Sequence, residues 1–421
     1  MRLSNLNIRK INLDDIDKSY SGQDILMKLG ELYQFESGIY GYGNLWTKLE
    51  RIVEDIIIDE LDKAGCIQVE FPILHPRKIW EQSKRWDIYT KDNDTMFTID
   101  SNLGEYGLAP TAEECAAIFG ANRLLSYKNL PATYYQINEK FRKEIRARGF
   151  LFRPRTFIMM DAYSFDKSFE DMKKSFDKMH DVYLNIFKRL GINIIPVVSD
   201  GGTIGGKVSE EFQALTDIGE DTILYDEKTN TGINREVLEF EERDEFVKYL
   251  NGIKLEDMKE CNAIELGNNF QLGTKYSEDM KLFYKDKDGK DKPYYMGCYG
   301  IGLGRIIACL IENNVIKDNG KIKGFILPYN IAPYKVQIIY NDKNKEVAEE
   351  LYKYLTDNGV KVIIDDREDL SIGNRIKDTF VLGTPKLIVI GNKYDGKNYE
   401  VEDLRTRDVV KVTKEDIISE L

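Results

Sequence analysis

Apolar residues recur at every third or fourth position along several stretches of the chain, the spacing that places them on one face of an α-helix. The longest such stretch runs from 45 to 64 and ends at Gly65, a residue type that commonly follows a helix. A second stretch covers 166–190, and a shorter one covers 23–35. We therefore predict two long amphipathic helices and a short helix ahead of them.

Residues 141–165 indicate two strands joined by a basic loop. Apolar residues flank the loop, so it is predicted to rise from a packed sheet. Guanidinium groups repel one another unless an anion lies among them, and their planar donors suit phosphate or carboxylate. A solvated surface hairpin is the alternative interpretation. The arginines concerned are Arg142, Arg146, Arg148, Arg153 and Arg155.

The pattern changes after residues 318–333, a stretch with glycine and proline that we interpret as a hinge. Beyond it, short apolar runs alternate with helical periodicity, which predicts a compact sheet with helices on its faces. The strands are predicted at 335–340, 360–365 and 387–390 and the helices at 343–358 and 372–382, followed by two short strands and a last helix.

Composition narrows the class of protein. The 421 residues are 42% hydrophobic and 31% charged, as in ordinary globular proteins, and this length allows two or three domains. No apolar run reaches the roughly 18 residues of a membrane helix, and the first residues do not resemble a secretory signal. Five cysteines without a CxxC pair favour reduced thiols in the cytoplasm, and two histidines argue against a histidine-based triad. The net charge of −12 argues against nonspecific coating of nucleic acid but leaves room for a local basic face.

Three further segments contain candidate functional residues. In a Pro-Thr turn, Thr111 suits a helix cap and Glu113 suits the first helical turn. Residues 265–277 begin with Glu265, a carboxylate of the kind that hard cations such as Mg²⁺ prefer. Alternating glycines precede Arg305 and a helix, so something must approach that strand closely. A helix cap explains the first segment equally well, and a β-bulge or tight packing explains the last.

Together these segments resemble the three ordered motifs of the class II aminoacyl-tRNA synthetases. The helix and strand at 45–72 are similar to motif 1, FRKE with RPRTF in 141–157 to motif 2, and GCYGIGLGR in 297–305 to motif 3. The strings PTAEE, MMDAYSF and ELGNNFQLGTKYS are similar to the prolyl-tRNA synthetase family within that class. The resemblance covers nearly the whole chain, from 22 to 391.

The resemblance implies roles for the matched residues. Arg142 would bind the α-phosphate of ATP and the amino-acid carboxylate, while Arg153 and Arg305 would hold the γ-phosphate. Arg142 and Arg305 would be the catalytic pair, and Mg²⁺ would bind at Glu265. The full ATP-binding set would be Arg142, Glu144, Arg153, Phe157, Glu265, Asn268 and Arg305, and the amino-acid-binding set Thr111, Glu113, Arg142 and Phe270.

The implied fold is a class II catalytic domain at 1–327, an α+β domain with a mostly antiparallel sheet flanked by helices. A smaller α/β anticodon-binding domain would follow at 328–421. The implied activity is ATP-dependent activation of L-proline to prolyl-adenylate and its transfer to the 3′ end of tRNA(Pro). The enzyme would be a cytoplasmic homodimer joined through 45–72.

The interval between 234 and 265 is too short for the large editing domain that many bacterial members carry, so a short form is expected. Four residues depart from the family pattern: Ala112, Glu210, Asn268 and Phe380. These departures motivate two alternatives, a paralogue that activates another amino acid and one that charges a non-tRNA acceptor. A third alternative is a non-catalytic homologue that senses tRNA.

Overall fold

A computed structural model describes residues 1–145, 147, 149–202, 204, 208–216 and 218–421 of the chain. Arg146 and Arg148, two of the arginines predicted in the basic loop, lie outside the described residues. All other residues singled out in the sequence lie within them.

Ten α-helices are formed by the described residues. The two predicted long helices are confirmed, and the short one is shorter than expected because a strand begins at Leu32. The helices are α1 Ser21–Leu29, α2 Asn44–Lys63, α3 Arg77–Gln82, α4 Glu113–Ala121, α5 Phe169–Leu190, α6 Arg243–Val247, α7 Lys275–Asp279, α8 Leu303–Glu312, α9 Lys345–Asp357 and α10 Ile372–Thr379.

The strands are mostly short, with the longest ones in the central part of the chain. They are β1 Leu32–Glu36, β2 Ile39–Tyr42, β3 Ile67–Gln68, β4 Leu74–Pro76, β5 Thr98–Ser101, β6 Gly104–Leu108, β7 Ala132–Phe141, β8 Thr156–Asp166, β9 Ile194–Asp200, β10 Val208–Leu215, β11 Asp221–Asp226, β12 Thr231–Asn234, β13 Lys259–Gly273, β14 Phe283–Lys285, β15 Asp291–Pro293, β16 Tyr295–Gly302, β17 Val315–Asp318, β18 Lys321–Phe325, β19 Val336–Tyr340, β20 Val362–Asp365, β21 Lys386–Ile390, β22 Tyr399–Asp403 and β23 Val409–Val412.

The largest sheet formed by the described residues has nine strands in the order β10-β9-β12-β11-β13-β16-β8-β7-β3, with β10 also pairing with β13. Its pairings are antiparallel except β12 with β9 and β3 with β7. The mostly antiparallel sheet predicted from the sequence is therefore confirmed. Strand β8 lies between β7 and β16, so the two strands that flank the basic loop are direct neighbours.

Helix α5 covers one face of this sheet. The side chain of Ser168 caps its first turn by accepting a hydrogen bond from the backbone of Asp171, and Gly191 ends it in the left-handed conformation. Tyr183 on the helix contacts β13 at Gly267, where a Cβ would come within 3.0 Å of the tyrosine ring. The sheet thus has one face closed by a helix and the other open for a site.

A second sheet has the order β20-β19-β21-β22-β23, with the first three strands parallel and the last two antiparallel to their neighbours. Helices α9 and α10 pack on it, as predicted. One expectation was wrong, because the last helix is only a 3₁₀ turn at Ile417–Glu420. The stretch interpreted as a hinge is not irregular throughout, since it includes the turn and the second strand of the hairpin formed by β17 and β18.

The chain forms two compact units that do not follow sequence order. One comprises Ser37–Ile39 and Glu54–Ile306, and the other Met1–Glu36, Tyr40–Val53 and Ile307–Leu421. The boundary at 327 stays a prediction. The 235–258 interval contains only short helices, in agreement with the expected short form. None of the helices described is both long and apolar enough to cross a bilayer.

The amino end of α2 is capped by a distant carboxylate. Glu31 is buried and accepts hydrogen bonds from the backbone N–H groups of Leu45 and Trp46. Gly43 makes this possible because a Cβ at that position would lie 2.3 Å from Oε2 of Glu31. The first turn of a long helix thus depends on one acid.

We expect Glu31→Ala to lower the free energy of unfolding by about 2 kcal/mol, because two helix N–H groups lose a charged acceptor. Urea unfolding followed by circular dichroism measures this change. Glu346→Ala is the control, since Glu346 is an exposed acid in the first turn of α9. Equal losses in the two variants would contradict the capping role.

Candidate active site

A cavity opens on the face of the nine-stranded sheet opposite α5 and encloses about 880 Å³ of space, its mouth included. Strands β8, β13 and β16, the loop between β7 and β8, and the first turn of α8 form its walls. All ten site residues predicted from the sequence line this one cavity: Thr111, Glu113, Arg142, Glu144, Arg153, Phe157, Glu265, Asn268, Phe270 and Arg305.

Arg142 follows the last residue of β7 and is fixed by its backbone, whose N–H donates to Arg155 at 2.9 Å. Its Nε donates to the carbonyl of Pro110 at 3.3 Å, and its guanidinium lies over the ring of Phe157, 5.1 Å from the centroid. Within the described part of the chain, no carboxylate forms an ion pair with Arg142. Its charge is therefore available to an anionic ligand.

The other two predicted phosphate-binding arginines already have carboxylate partners. Arg153 donates from Nε to Glu144 at 3.0 Å. Arg305 donates from Nη1 to both the backbone and the side chain of Glu265, at 2.8 and 3.0 Å, and from Nε to the carbonyl of Phe152 at 2.8 Å. These bonds fix the positions of both guanidinium groups at the cavity wall.

The floor is provided by β13 and β16. Glu265 and Asn268 project into the cavity from β13, and Asn268 donates to Glu265 at 3.2 Å. Glycines 300 and 302 of β16 and 304 of α8 also line it. A Cβ at any of these three would make only ordinary contacts of 3.6 to 4.0 Å within the chain. The chain's own packing therefore does not require these glycines, and their absence of side chains leaves room for a ligand.

One end of the cavity contains a buried carboxylate, Glu113, whose two oxygens accept hydrogen bonds from Thr111 at 2.8 Å. Its Oε1 also accepts from the thiol of Cys298 at 3.3 Å, and its Oε2 accepts from Arg85 at 3.1 Å. Burial would raise the pKa of Glu113, but the charge of Arg85 and the hydrogen bond from Thr111 leave it below its usual range. Glu113 is thus ionised at neutral pH.

Two groups of polar residues beside this end were not singled out in the sequence. The first consists of Arg85, which stands between Trp80 and Trp86 in the sequence. The other is a network in which the hydroxyl of Tyr163 accepts from the backbone of Ala112 at 3.0 Å and donates to Asp161 at 2.8 Å. Gln136 and Lys140 complete it through contacts of 2.8 and 2.7 Å with Asp161. Polar residues inside an apolar strand such as β7 were the available signal.

Three of the four departures from the family pattern have local explanations. Ala112 is buried and its backbone is held by Tyr163. Glu210 pairs with His180 on α5, with 2.9 Å between Oε2 and Nδ1. Phe380 belongs to a buried apolar cluster of the second sheet with Ile339 and Leu387. None of these three residues lines the cavity.

The comparisons with known proteins agree with this architecture. A family model described as tRNA synthetase class II core domain (G, H, P, S and T) matches residues 96–314, and one described as anticodon binding domain matches 326–421. These matches, with the sheet and the cavity, place the chain among the class II aminoacyl-tRNA synthetases.

The more specific assignment comes from sequence relatives. The proline–tRNA ligase of Rickettsia bellii (strain OSU 85-389) is 34% identical over 424 residues, covering 96% of each chain. That of Ehrlichia chaffeensis (strain Arkansas) is 34% identical over 438 residues, covering 100% of each. The chain belongs to the proline–tRNA ligase family.

Solved structures share the fold at lower identity. The prolyl-tRNA synthetase of Cryptosporidium parvum complexed with halofuginone and AMPPNP has a TM-score of 0.75 at 16% identity, covering 97% of this chain and 77% of that one. The Giardia lamblia enzyme in complex with prolyl-adenylate has a TM-score of 0.74 at 18% identity, covering 94% and 74%. The family, fold class and enzyme class predicted from the sequence are confirmed.

The surroundings of the two histidines indicate opposite pH dependences of stability. The hydrogen bond to Glu210 raises the pKa of His180. The contribution of His180 to the free energy of unfolding is therefore complete below about pH 6.5 and is lost as pH rises through the folded pKa. Burial lowers the pKa of His75 to about 4, so its contribution is lost as pH falls below about 6.5.

We expect His180→Gln to lower the free energy of unfolding by about 1 kcal/mol or less near pH 6 and to have little effect near pH 9. Urea unfolding at both pH values measures the difference between variant and parent. Glu210→Gln should show the same dependence. A loss that is equal at the two pH values would contradict the charged pair.

Proposed function

We propose that the chain activates L-proline with ATP to give prolyl-adenylate and pyrophosphate, then transfers the prolyl group to the 3′ end of tRNA, and that the cavity is the site of both steps. One observation carries the assignment of the site. Ten residues chosen from motifs spread over nearly 200 positions line the same cavity in a chain of the proline–tRNA ligase family.

The nucleotide is proposed to lie along β13 and β16, with its phosphates toward the three arginines. Arg142 suits the α-phosphate because no described carboxylate competes for it. Arg153 and Arg305 suit the γ-phosphate, since their partners hold them at the wall. Phe157 offers a ring on which adenine can stack, and Glu144 lies at the same end.

A magnesium ion fits beside Glu265. No group of three or more metal-ligating side chains is found in the described ranges, and Mg²⁺ is usually held by one or two carboxylates with nucleotide phosphates and waters. Burial and the nearby charge of Glu265 raise the pKa of Glu211 to about 7, so two carboxylates repel each other here. Bound Mg²⁺ would neutralise phosphate charge.

Proline is proposed to place its ring amine at Glu113 and its carboxylate toward Arg142. Thr111 holds the glutamate through its hydroxyl, and Phe270 supplies an apolar wall. One end of the substrate then meets a carboxylate and the other a guanidinium. This polarity directs the substrate carboxylate toward the α-phosphate.

The chemistry needs positioning and charge stabilisation and no protein nucleophile. An oxygen of the proline carboxylate attacks the α-phosphorus of ATP, and the bond to pyrophosphate breaks. A terminal ribose hydroxyl of tRNA then attacks the carbonyl carbon, and AMP leaves. Cys298 is unsuited to act as a nucleophile because burial and the adjacent Glu113 raise its pKa well above the usual range.

The proposed partners are tRNA(Pro) and a second copy of the chain, in the cytoplasm. All five cysteines are free, as a reducing compartment favours. Exposed apolar residues on and near the predicted interface strand support a homodimer: Ile67, Leu74, Ile99 and Leu103.

The activity is tested by ATP–pyrophosphate exchange with each amino acid in turn, followed by charging of total tRNA. Exchange with proline and charging of tRNA are expected. Exchange with a different amino acid would indicate a paralogue of changed specificity. Exchange without charging would indicate another acceptor, and no exchange would indicate a non-catalytic homologue.

We expect Arg142→Ala to reduce proline-dependent exchange by about 100-fold or more, because it removes charge stabilisation at the reacting phosphate. Arg123→Ala is a matched control, since Arg123 also lies over a ring, that of Phe119, but is exposed and outside the cavity. Near-normal exchange in the folded Arg142 variant would refute the assignment.

We expect sedimentation equilibrium to give twice the 48.7 kDa chain mass. Ile67→Asp should shift the equilibrium toward the monomer, because a charge would enter an apolar interface. Leu125→Asp is the control at an exposed apolar position outside the proposed interface. A parent chain that stays monomeric at micromolar concentration would contradict the homodimer.

A further inference from the structure

Arg85 is a buried arginine directly behind the proposed amine-binding glutamate. Its side chain is only 1% exposed. A single nitrogen, Nη1, donates to Glu113 at 3.1 Å and to Glu114 at 2.9 Å. Glu113 lines the cavity, whereas Arg85 and Glu114 do not. Any effect of Arg85 on a ligand must therefore pass through Glu113.

An aromatic enclosure fixes the guanidinium in place. The rings of Trp80, Tyr89 and Tyr276 lie with their centroids 5.1, 4.6 and 5.2 Å from its central carbon. Nη2 donates to the hydroxyl of Tyr89 at 2.5 Å. Cation–π contact and hydrogen bonds of this kind stabilise a charged arginine away from water.

The buried charges do not cancel. One guanidinium faces two carboxyl groups, so Arg85 can balance only one of them when both are ionised. Burying such a charge is costly unless a cation pairs with it. Oε2 of Glu114 has no hydrogen-bond partner among the described residues, although the group is fully buried. The cluster is therefore complementary to one more positive charge.

We propose that Arg85 is a positioning residue that keeps Glu113 a fixed carboxylate, and that Arg85, Glu113 and Glu114 together form a receptor for the single positive charge of the substrate's ring amine. The inference rests on the proposed function, since it assumes that proline binds with its amine at Glu113. Arg85 touches neither substrate nor ATP and acts through Glu113.

The acid–base behaviour of the cluster agrees with its geometry. Arg85 and Thr111 together outweigh burial and lower the pKa of Glu113, whereas burial and the neighbouring Glu113 raise that of Glu114 despite Arg85. Charged or titratable groups face Glu113 from each element packed on it: His75, Arg85, Glu114, Cys115, Tyr163, Lys275, Tyr276 and Cys298.

The test is the pH dependence of kcat/KM for proline and, separately, for ATP in exchange assays with the full chain. In Arg85→Gln, Glu113 should become protonated within the working pH range. Then kcat/KM for proline falls about tenfold for each pH unit below the apparent pKa and recovers as pH rises. The KM for ATP should change by less than about twofold.

Two companion variants separate charge from folding. Glu114→Gln leaves the cluster neutral, so the KM for proline should rise at every pH. The variant should show no additional fall of kcat/KM for proline at low pH. The double variant Arg85→Gln with Glu114→Gln removes one charge of each sign and should fold even where Arg85→Gln does not. The double variant should bind proline nearly normally at high pH, but its kcat/KM for proline should fall at low pH as in Arg85→Gln.

Arg77→Gln is the matched control, because Arg77 also pairs with two glutamates, Glu81 and Glu105, and lies over a tryptophan, but at 40% exposure. Arg77→Gln should leave the pH dependence of kcat/KM for proline unchanged. The inference would be overturned if Arg85→Gln lowered kcat/KM for proline and for ATP alike and the double variant showed no new pH dependence. A parent chain without proline-dependent exchange would instead refute the proposed function.

Discussion

The hydrogen bonds between Arg305 and Glu265 join the first turn of α8 to strand β13, and the bond to Phe152 adds the turn that follows the basic loop. Three separate parts of the chain thus meet at one guanidinium. Charge-assisted hydrogen bonds of this kind hold a guanidinium in one place, here at 30% exposure. The position of this cation in the cavity wall is consequently set by the fold.

Carboxylate partners of this kind recur around the cavity, for the exposed Arg153 as well as for buried cations. Arg153 has Glu144, Arg85 has two glutamates, and Lys140 has Asp161 at 2.7 Å. Among the described residues Arg142 differs, because it is held by a carbonyl and a ring and not by a carboxylate. This difference distinguishes the cations that are paired in or near the wall from Arg142, whose charge is open to an anionic ligand.

Periodicity predicted the long helices and the strands around the basic loop, because these are encoded locally. The ten residues that line the cavity were assigned through the resemblance to the class II synthetases. The partners of buried charges could not be predicted in this way. Arg85 and Glu113 are 28 positions apart, and only the packing of α4 against the segment after α3 brings them together. The hairpin of β17 and β18 was a different failure. Its turn at Asn319 and Gly320, both in the left-handed conformation, is a common hairpin signal that the hinge interpretation overlooked.

The departures from the family pattern bear on specificity only where they touch the cavity. Glu210 and Phe380 have partners outside the cavity. Glu210 pairs with His180, and Phe380 packs in a buried apolar cluster. Asn268 does line the cavity, yet it donates to Glu265 and so keeps the acid oriented. Its Oδ1 is buried without a hydrogen-bond partner among the described residues, which leaves an acceptor available to a ligand in the cavity. Under the proposed function, the choice of amino acid is assigned to the surroundings of Glu113, where Thr111 and Cys298 donate to the carboxylate and Arg85 supplies a compensating charge.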